Sequence, residues 1–406
     1  MRHGSDGPTY RGSRQACLTW LICVMVSSGL LLLGARQAFS QDDPLSELQS
    51  ALSGGSAGRL LQARPLDGAP DGASAYAILY QSTGLQGEPI TVSGMVVVPE
   101  GEPAGDRPIV AWAHPTTGVV PRCAPSLARK RFRMIAGLRL MLARGYTVAA
   151  TDYPGLGTDY THPYLVGTSE GRAVLDSVRA ARQVPGVGAG HRFAVWGHSQ
   201  GGQAALFTGL LAESYAPELQ LVGVAAAAPA TELATLLKAD LDTSGGRNLT
   251  AMTLWSWARI YGAPIDAVLD PSAIPIVDRL AGECLESIYD FIVRSRTEKP
   301  LEKRFLKVDD FAEAEPWASL LRQNTPGPLP ARIPVFVAQG TADKLVLPRV
   351  TRSYVRDLCR HGSAVALDLV PGAGHGFLAF KAADAAVAWI AARFAGEPAP
   401  SNCGRG

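Results

Sequence analysis

Gly197-His198-Ser199-Gln200-Gly201 sets one hydroxyl between two glycines at the spacing G-x-S-x-G. Before it runs the apolar segment Phe193-Ala194-Val195-Trp196, and after it Gly202-Gln203-Ala204-Ala205-Leu206. A strand that turns sharply into a helix exposes its corner side chain, and small residues two before and two after relieve the crowding there. The corner also puts Ser199 at a helix N-terminus, where backbone N–H groups favour a developing anion. A serine hydroxyl attacks only when a base takes its proton, so a histidine and an acid must be found elsewhere in the chain.

Where such an elbow carries the nucleophile, the partners follow in the order Ser, acid, His. Two histidines lie late in the chain, His361 and His375. His361 closes the segment Val350–Arg360 and precedes Gly362, which suits a helix C-terminus. His375 sits in Pro371-Gly372-Ala373-Gly374-His375-Gly376-Phe377, a glycine-rich turn just after the last strand-like run, and is the expected base. Asp343 follows the apolar run Ile333–Gln339 through Gly340-Thr341-Ala342 and is the expected acid, which would orient the imidazole and stabilise its cation. Its other reading is a turn aspartate.

Charge developing on a carbonyl oxygen needs two donors. One is expected to be the backbone N–H of Gln200. The other is expected from His114-Pro115-Thr116-Thr117-Gly118, with Thr116 chosen and Thr117 its competitor. Pro115 has no N–H and cannot serve. His114 precedes the nucleophile in the chain and is expected to brace the loop.

The elements that position these residues alternate. Ala75–Gln81 and Ile90–Pro99 read as an antiparallel hairpin, then Ile109–His114 as a strand and Leu127–Arg144 as a helix with Phe132, Ile135, Leu138 and Leu142 on one face. Strands at Tyr146–Asp152, Phe193–Gly197 and Leu221–Ala228 alternate with helices at Ser169–Arg182 and Gln200–Ala212. Ile333–Gln339, Val350–Arg360, Val365–Val370 and Phe377–Phe394 resume the pattern. Alternation of this kind predicts an α/β protein with a mostly parallel sheet flanked by helices. Core segments are placed at residues 71–229 and 331–403. Between them, residues 230–330 read as a helical cap or lid, with Trp255, Trp257, Tyr261, Tyr289, Phe291 and Trp317. A separate domain is the alternative, and the return of the strand pattern after Pro330 argues against it. Residues 41–70 read as a loosely held lead-in.

Of the 406 residues 47% are hydrophobic and 18% charged, enough for a large core. The net charge is +2, and the first forty residues hold Arg2, Arg11, Arg14 and Arg36 against Asp6. The remainder is close to neutral, without the basic footprint of a nucleic-acid binder. Arg11 and Arg14, the apolar run Cys17–Leu33 and Ala38-Phe39-Ser40 read as a signal peptide over residues 1–40, with a retained anchor as the competing reading. Export to the outside or the periplasm follows. Cys123, Cys284, Cys359 and Cys403 remain after cleavage. Four cysteines in an oxidising compartment suggest two disulfides, with three pairings open.

Further motifs accompany the elbow: Trp112-Ala113-His114, Cys123-Ala124-Pro125-Ser126, Asp152-Tyr153-Pro154-Gly155-Leu156-Gly157, Leu211-Ala212-Glu213-Ser214-Tyr215-Ala216-Pro217-Glu218-Leu219 and Gln339-Gly340-Thr341-Ala342-Asp343. Over roughly residues 75–403 the chain resembles the secretory lipases typified by yeast lipase A. That resemblance implies an α/β-hydrolase fold with an inserted helical cap and hydrolysis of carboxylic esters, including acylglycerols, through an acyl-enzyme. It implies no cofactor or metal, a small-molecule or lipid ester as substrate, transient contact with a lipid interface, and no protein partner. It also implies the pairings Cys123–Cys284 and Cys359–Cys403. Bacterial members carry glycine after the histidine of the oxyanion loop, and Pro115 departs from that. Peptidase, acyltransferase and catalytically silent binding module are the competing functions on this scaffold.

Overall fold

The computed structural model describes residues 56–101, 105–239 and 241–404. The segment read as a signal peptide lies outside them, as do residues 41–55 of the lead-in. Nine strands form one sheet: β1 (Leu60–Pro65), β2 (Ala73–Thr83), β3 (Pro89–Pro99), β4 (Arg107–Ala113), β5 (Thr147–Thr151), β6 (Ala189–His198), β7 (Gln220–Ala227), β8 (Val335–Gly340) and β9 (Val365–Val370). Their order is β1-β2-β3-β5-β4-β6-β7-β8-β9. β1, β2, β3 and β5 pair antiparallel in that sequence, and every later pairing is parallel.

The central strands are short apolar runs because both of their faces are covered. Alternate residues serve opposite cores: Val110, Trp112, Ala194 and Trp196 on one face, Ile109, Ala111, Phe193 and Val195 on the other. The second face is covered by α2 (Gly167–Ala181) and α3 (Gln200–Tyr215), through Val174, Val178, Ala205 and Leu206 among others. The first is covered by α1 (Leu138–Ala143) and α11 (Ala383–Phe394), the latter following the short α10 (Leu378–Lys381). α9 (Pro348–Arg360) lies between β8 and β9 in the chain.

Between β7 and β8 the chain forms helices: α4 (Leu233–Ala239), α5 (Ser244–Ile260), α6 (Ile274–Ala281), α7 (Ile288–Glu298) and α8 (Trp317–Gln323). Their Trp257, Trp317 and Leu321 join the same apolar cluster as Trp112 and Trp196 of the sheet, so the insertion shares a core with the sheet. A buried ion pair, Arg247 Nε to Glu298 Oε2 at 2.7 Å, ties α5 to α7.

Three sequence expectations are corrected. Leu60–Pro65, placed in the loose lead-in, is the edge strand β1 paired with β2. An edge strand buries little: no residue of Leu60–Pro65 is fully buried and Gln62, Arg64 and Pro65 are exposed, so no apolar run marked it. Leu127–Arg144 is not one helix. It comprises 3-10 turns at Pro125–Leu127 and Arg131–Met134, then α1. Gly137 takes the left-handed region at φ 79°, which a continuing α-helix forbids. Successive turns presented the same three-to-four spacing as one helical face. The segment read as one helix over Phe377–Phe394 likewise divides at Ala382 into α10 and α11.

Candidate active site

β6 ends at His198 and α3 begins at Gln200, with Ser199 between them at φ 58°. The two glycines are required by backbone crowding. A Cβ on Gly197 would strike the carbonyl of Gly201, and a Cβ on Gly201 that of Ala113, both far inside contact distance. Gly167-Thr168-Ser169-Glu170-Gly171 has the same spacing, yet it lies in the first turns of α2 with Ser169 buried. Context, not spacing, separates the two.

Loops after three strands converge on Ser199. His375 follows β9, and its Nε2 lies 2.8 Å from Ser199 Oγ. Asp343 follows β8, and its Oδ2 accepts from His375 Nδ1 at 2.8 Å. Oδ1 accepts from the backbone N–H groups of Leu345 and Val346, each at 2.9 Å. Burial alone would push the Asp343 carboxyl up, but its bonds from His375 and these two amides together hold it below the usual range. The arrangement lets a proton pass from Ser199 to His375 while a charged carboxylate faces the imidazole. His361 stands exposed at the end of α9, its Nδ1 2.9 Å from the carbonyl of Asp357. His198 is buried beside His375, with ring centroids 5.0 Å apart. Burial, then the neighbouring His375, push it down to about 3, so it adds no positive charge beneath the base.

On the other side of Ser199, His114 ends the run after β4. Its Nδ1 is 2.7 Å from the carbonyl of Pro115 and its Nε2 3.1 Å from that of Asp152. Burial pushes it down to about 4, so it braces the loop as a neutral ring. The Thr116 hydroxyl is 3.0 Å from the Tyr164 hydroxyl. Thr117 is buried, and its carbonyl accepts from Leu285 N at 2.7 Å. Two of the motifs meet here: Asp152 accepts from Ser126 N at 2.8 Å and from the hydroxyls of Ser126 and Ser93. Cys123 bonds Cys284 and so ties this loop to the insertion, and Cys359 bonds Cys403 to pin the C-terminal tail. Both pairings are those the resemblance implied.

A narrow cavity opens beside Ser199 and Gln200. Its walls are Tyr164, Leu165, Ala230, Leu233, Leu236, Leu237, Leu249, Leu345 and Val346. Four of these leucines come from the insertion, which accounts for the apolar character of the wall. Among the described residues no cluster of three or more His, Cys, Asp or Glu has the geometry to hold a metal ion.

One polar cluster was not anticipated. Glu170, in the first turn of α2, is fully buried, and its Oε1 accepts from Gln200 Nε2 at 2.8 Å and from Leu165 N at 2.9 Å. Burial outweighs these bonds and pushes the carboxyl up to about 8. His162, also buried, approaches the same Gln200 nitrogen at 3.2 Å. The only sequence signal was a glutamate among the small residues that open α2.

A mostly parallel sheet that presents a serine on the elbow after a central strand defines the class: an α/β-hydrolase. Residues 133–402 match the model of the secretory lipase family, and the chain belongs to that family of carboxylic ester hydrolases. Lipase A of Moesziomyces aphidis is 24% identical over 361 residues, 82% of this chain and 76% of that protein. Lipase 10 of Candida albicans is 28% identical over 285 residues, 65% of this chain and 59% of its own length. Among solved structures, Candida antarctica lipase A in its closed state is similar in fold, with a TM-score of 0.72 at 18% identity, covering 86% of this chain and 85% of that one.

Proposed function

We propose that the protein is an exported lipase or esterase that cleaves carboxylic esters, including acylglycerols, with Ser199 as nucleophile, His375 as base and Asp343 as the acid that orients it. The observation that carries the reading is the continuous relay from Ser199 Oγ through His375 to the buried, charged Asp343. Ser199 attacks the ester carbonyl as its proton passes to His375 Nε2. The tetrahedral oxyanion is held by the backbone N–H of Gln200 and by an N–H of the Thr116–Thr117 segment. Collapse expels the alcohol, which takes the proton from His375, and leaves an acyl-enzyme. Water then repeats the sequence with His375 as base and releases the acid.

In this reading residues 230–330 are the cap. Its leucines around Ser199 receive the acyl chain, since apolar walls beside a few polar groups are what an ester site needs. Residues 1–40 direct export, the step that brings the four cysteines to an oxidising compartment. Among the described residues no helix is long and apolar enough to cross a membrane.

The test is covalent. An alkyl p-nitrophenyl phosphonate should label the mature protein once per chain on the peptide that contains Ser199. Ser199→Ala should abolish both labelling and the turnover of p-nitrophenyl esters. Preferential cleavage of a peptide anilide by the wild type, or labelling elsewhere, would overturn the assignment.

A further inference from the structure

Gln200 has a side chain as well as a backbone, and the side chain is committed. His162 Nδ1 lies 2.8 Å from the carbonyl of Pro154, which only accepts, so that nitrogen carries the ring proton. Burial, which outweighs the bond to Pro154, pushes His162 down to about 3, so the ring is neutral and its Nε2 is an acceptor. Gln200 Nε2 donates one proton to that lone pair at 3.2 Å and the other to Glu170 Oε1 at 2.8 Å. Flipping the amide would oppose its oxygen to the His162 lone pair and lose both donations. The amide therefore has one orientation, set by two fully buried acceptors.

Those acceptors are themselves fixed, and partly by the insertion. Ser256 of α5 donates to the carbonyl of His162 at 2.6 Å and accepts from Tyr164 N at 3.0 Å. Trp257 Nε1 donates to the carbonyl of Tyr164 at 2.8 Å. Leu165, at φ 54°, directs its N–H onto Glu170. A chain of direct bonds thus runs from the insertion through the 162–165 loop to the residue after the nucleophile.

We infer that Glu170 is a positioning residue for the oxyanion hole: with His162 it grips the Gln200 side chain, and so holds the Ser199–Gln200 peptide in the orientation that presents its N–H to the substrate oxygen. The inference rests on the reading of Ser199 as nucleophile. Glu170 acts as a neutral acid. Among the described residues no cation pairs with it, and Oε2 has no hydrogen-bond partner. The ionisable groups that face it are His162, held neutral, and Tyr153 and Tyr164, whose phenols burial keeps protonated at alkaline pH. Arg294 of α7 acts electrostatically on Tyr164. Ionisation of Glu170 would put an uncompensated negative charge beside the residue meant to stabilise an oxyanion, and would raise the barrier.

The experiment is the pH dependence of p-nitrophenyl acetate hydrolysis by the mature protein. For the wild type, kcat should fall as pH rises through about 8. Glu170→Gln keeps the acceptor oxygen and cannot ionise, so its alkaline fall should vanish while the acid limb is retained. Glu170→Ala should lower kcat by about 10- to 100-fold with little change in KM, the scale of a slightly misplaced catalytic donor. Gln200→Met should lose a similar factor, and adding it to Glu170→Ala should cost little more, since both break one linkage. If Glu170→Ala does not fold, the Gln and Met variants decide. An alkaline fall that persists in folded Glu170→Gln, or that the wild type lacks, overturns the proposal. A Ser199→Ala protein that still turned over would instead overturn the nucleophile assignment on which it rests.

Discussion

Two buried carboxyls flank the same serine, and their surroundings drive them in opposite directions. Asp343 receives a ring N–H and two backbone N–H groups, and stays charged although burial opposes it. Glu170 receives one amide and one backbone N–H, both on the same oxygen, and burial wins. Both are buried, so the number of donors decides the outcome. In the proposed mechanism the charged one faces His375, the group that becomes a cation during turnover. In the same mechanism the neutral one holds Gln200, whose N–H would face the developing anion. Pairs of acids whose environments push them apart mark a division of labour in an active site.

The same chemical change at the two positions should therefore have unequal consequences. Asp343→Asn removes the charge that stabilises the imidazolium and disfavours the needed tautomer. On the serine-protease precedent kcat should fall by about 10⁴. Glu170→Gln should cost far less near neutrality, because the residue it replaces is already uncharged there. Comparing the two variants at pH 7 with one ester checks this. Equal losses would erase the distinction between them.

A stability measurement sharpens it further. Glu170 has a raised folded value, about 8 against 4.5 unfolded, so the folded state binds the extra proton. Its contribution is present below the unfolded value and is lost as pH rises from about 4.5 to about 8. Glu170→Gln should abolish that loss and should gain on the wild type, by a few kcal/mol, in denaturant titrations at pH 8 relative to pH 5. Asp343 has the opposite sign: it stabilises above its unfolded value, and that contribution fades as pH falls through its folded one. A difference between Glu170→Gln and wild type that is flat with pH would mean that the buried acid is not neutral.

The asymmetry also explains what could be read from residues alone. Ser199 and Asp343 follow β6 and β8, and a strand buried on both faces leaves a plain trace in sequence; His375 follows the edge strand β9, whose Val365–Val370 run is apolar but for Asp368. The proposed oxyanion residues were legible as a loop but not as geometry. Thr116 and Thr117 differ by where their backbone points, which no residue type records. β1 was missed because an edge strand needs no apolar run, and the 127–144 segment was misread because Gly137 breaks a helix whose spacing survives the break. Glu170 was invisible for a different reason. Its partner Gln200 lies thirty positions away on another helix, and only packing of α2 against α3 brings them together. The disulfides were legible only through resemblance, since spacing left three pairings open.

The smallest expected effect lies where the insertion meets the site, and it tests whether the insertion selects substrates or merely links to Gln200. Leu249 is half-buried on α5 and lines the cavity beside Ser199, while the bonds that hold the 162–165 loop come from Ser256 and Trp257 two turns further along. A substitution at Leu249 can thus change the cavity without touching the linkage. Leu249→Trp fills space that a long acyl chain would need and leaves room for acetate. Octanoate turnover should drop by about 10-fold relative to acetate, in line with 1–3 kcal/mol per methylene misfit in an apolar pocket. Leu249→Ala should move the ratio the other way, at a modest loss of stability because the side chain is only partly buried. Triad geometry is untouched in both, so acetate kcat and its pH profile should follow the wild type. If acetate and octanoate fell together in Leu249→Trp while its melting stayed native, the insertion would act on the site through the loop it grips and not by enclosing the acyl chain.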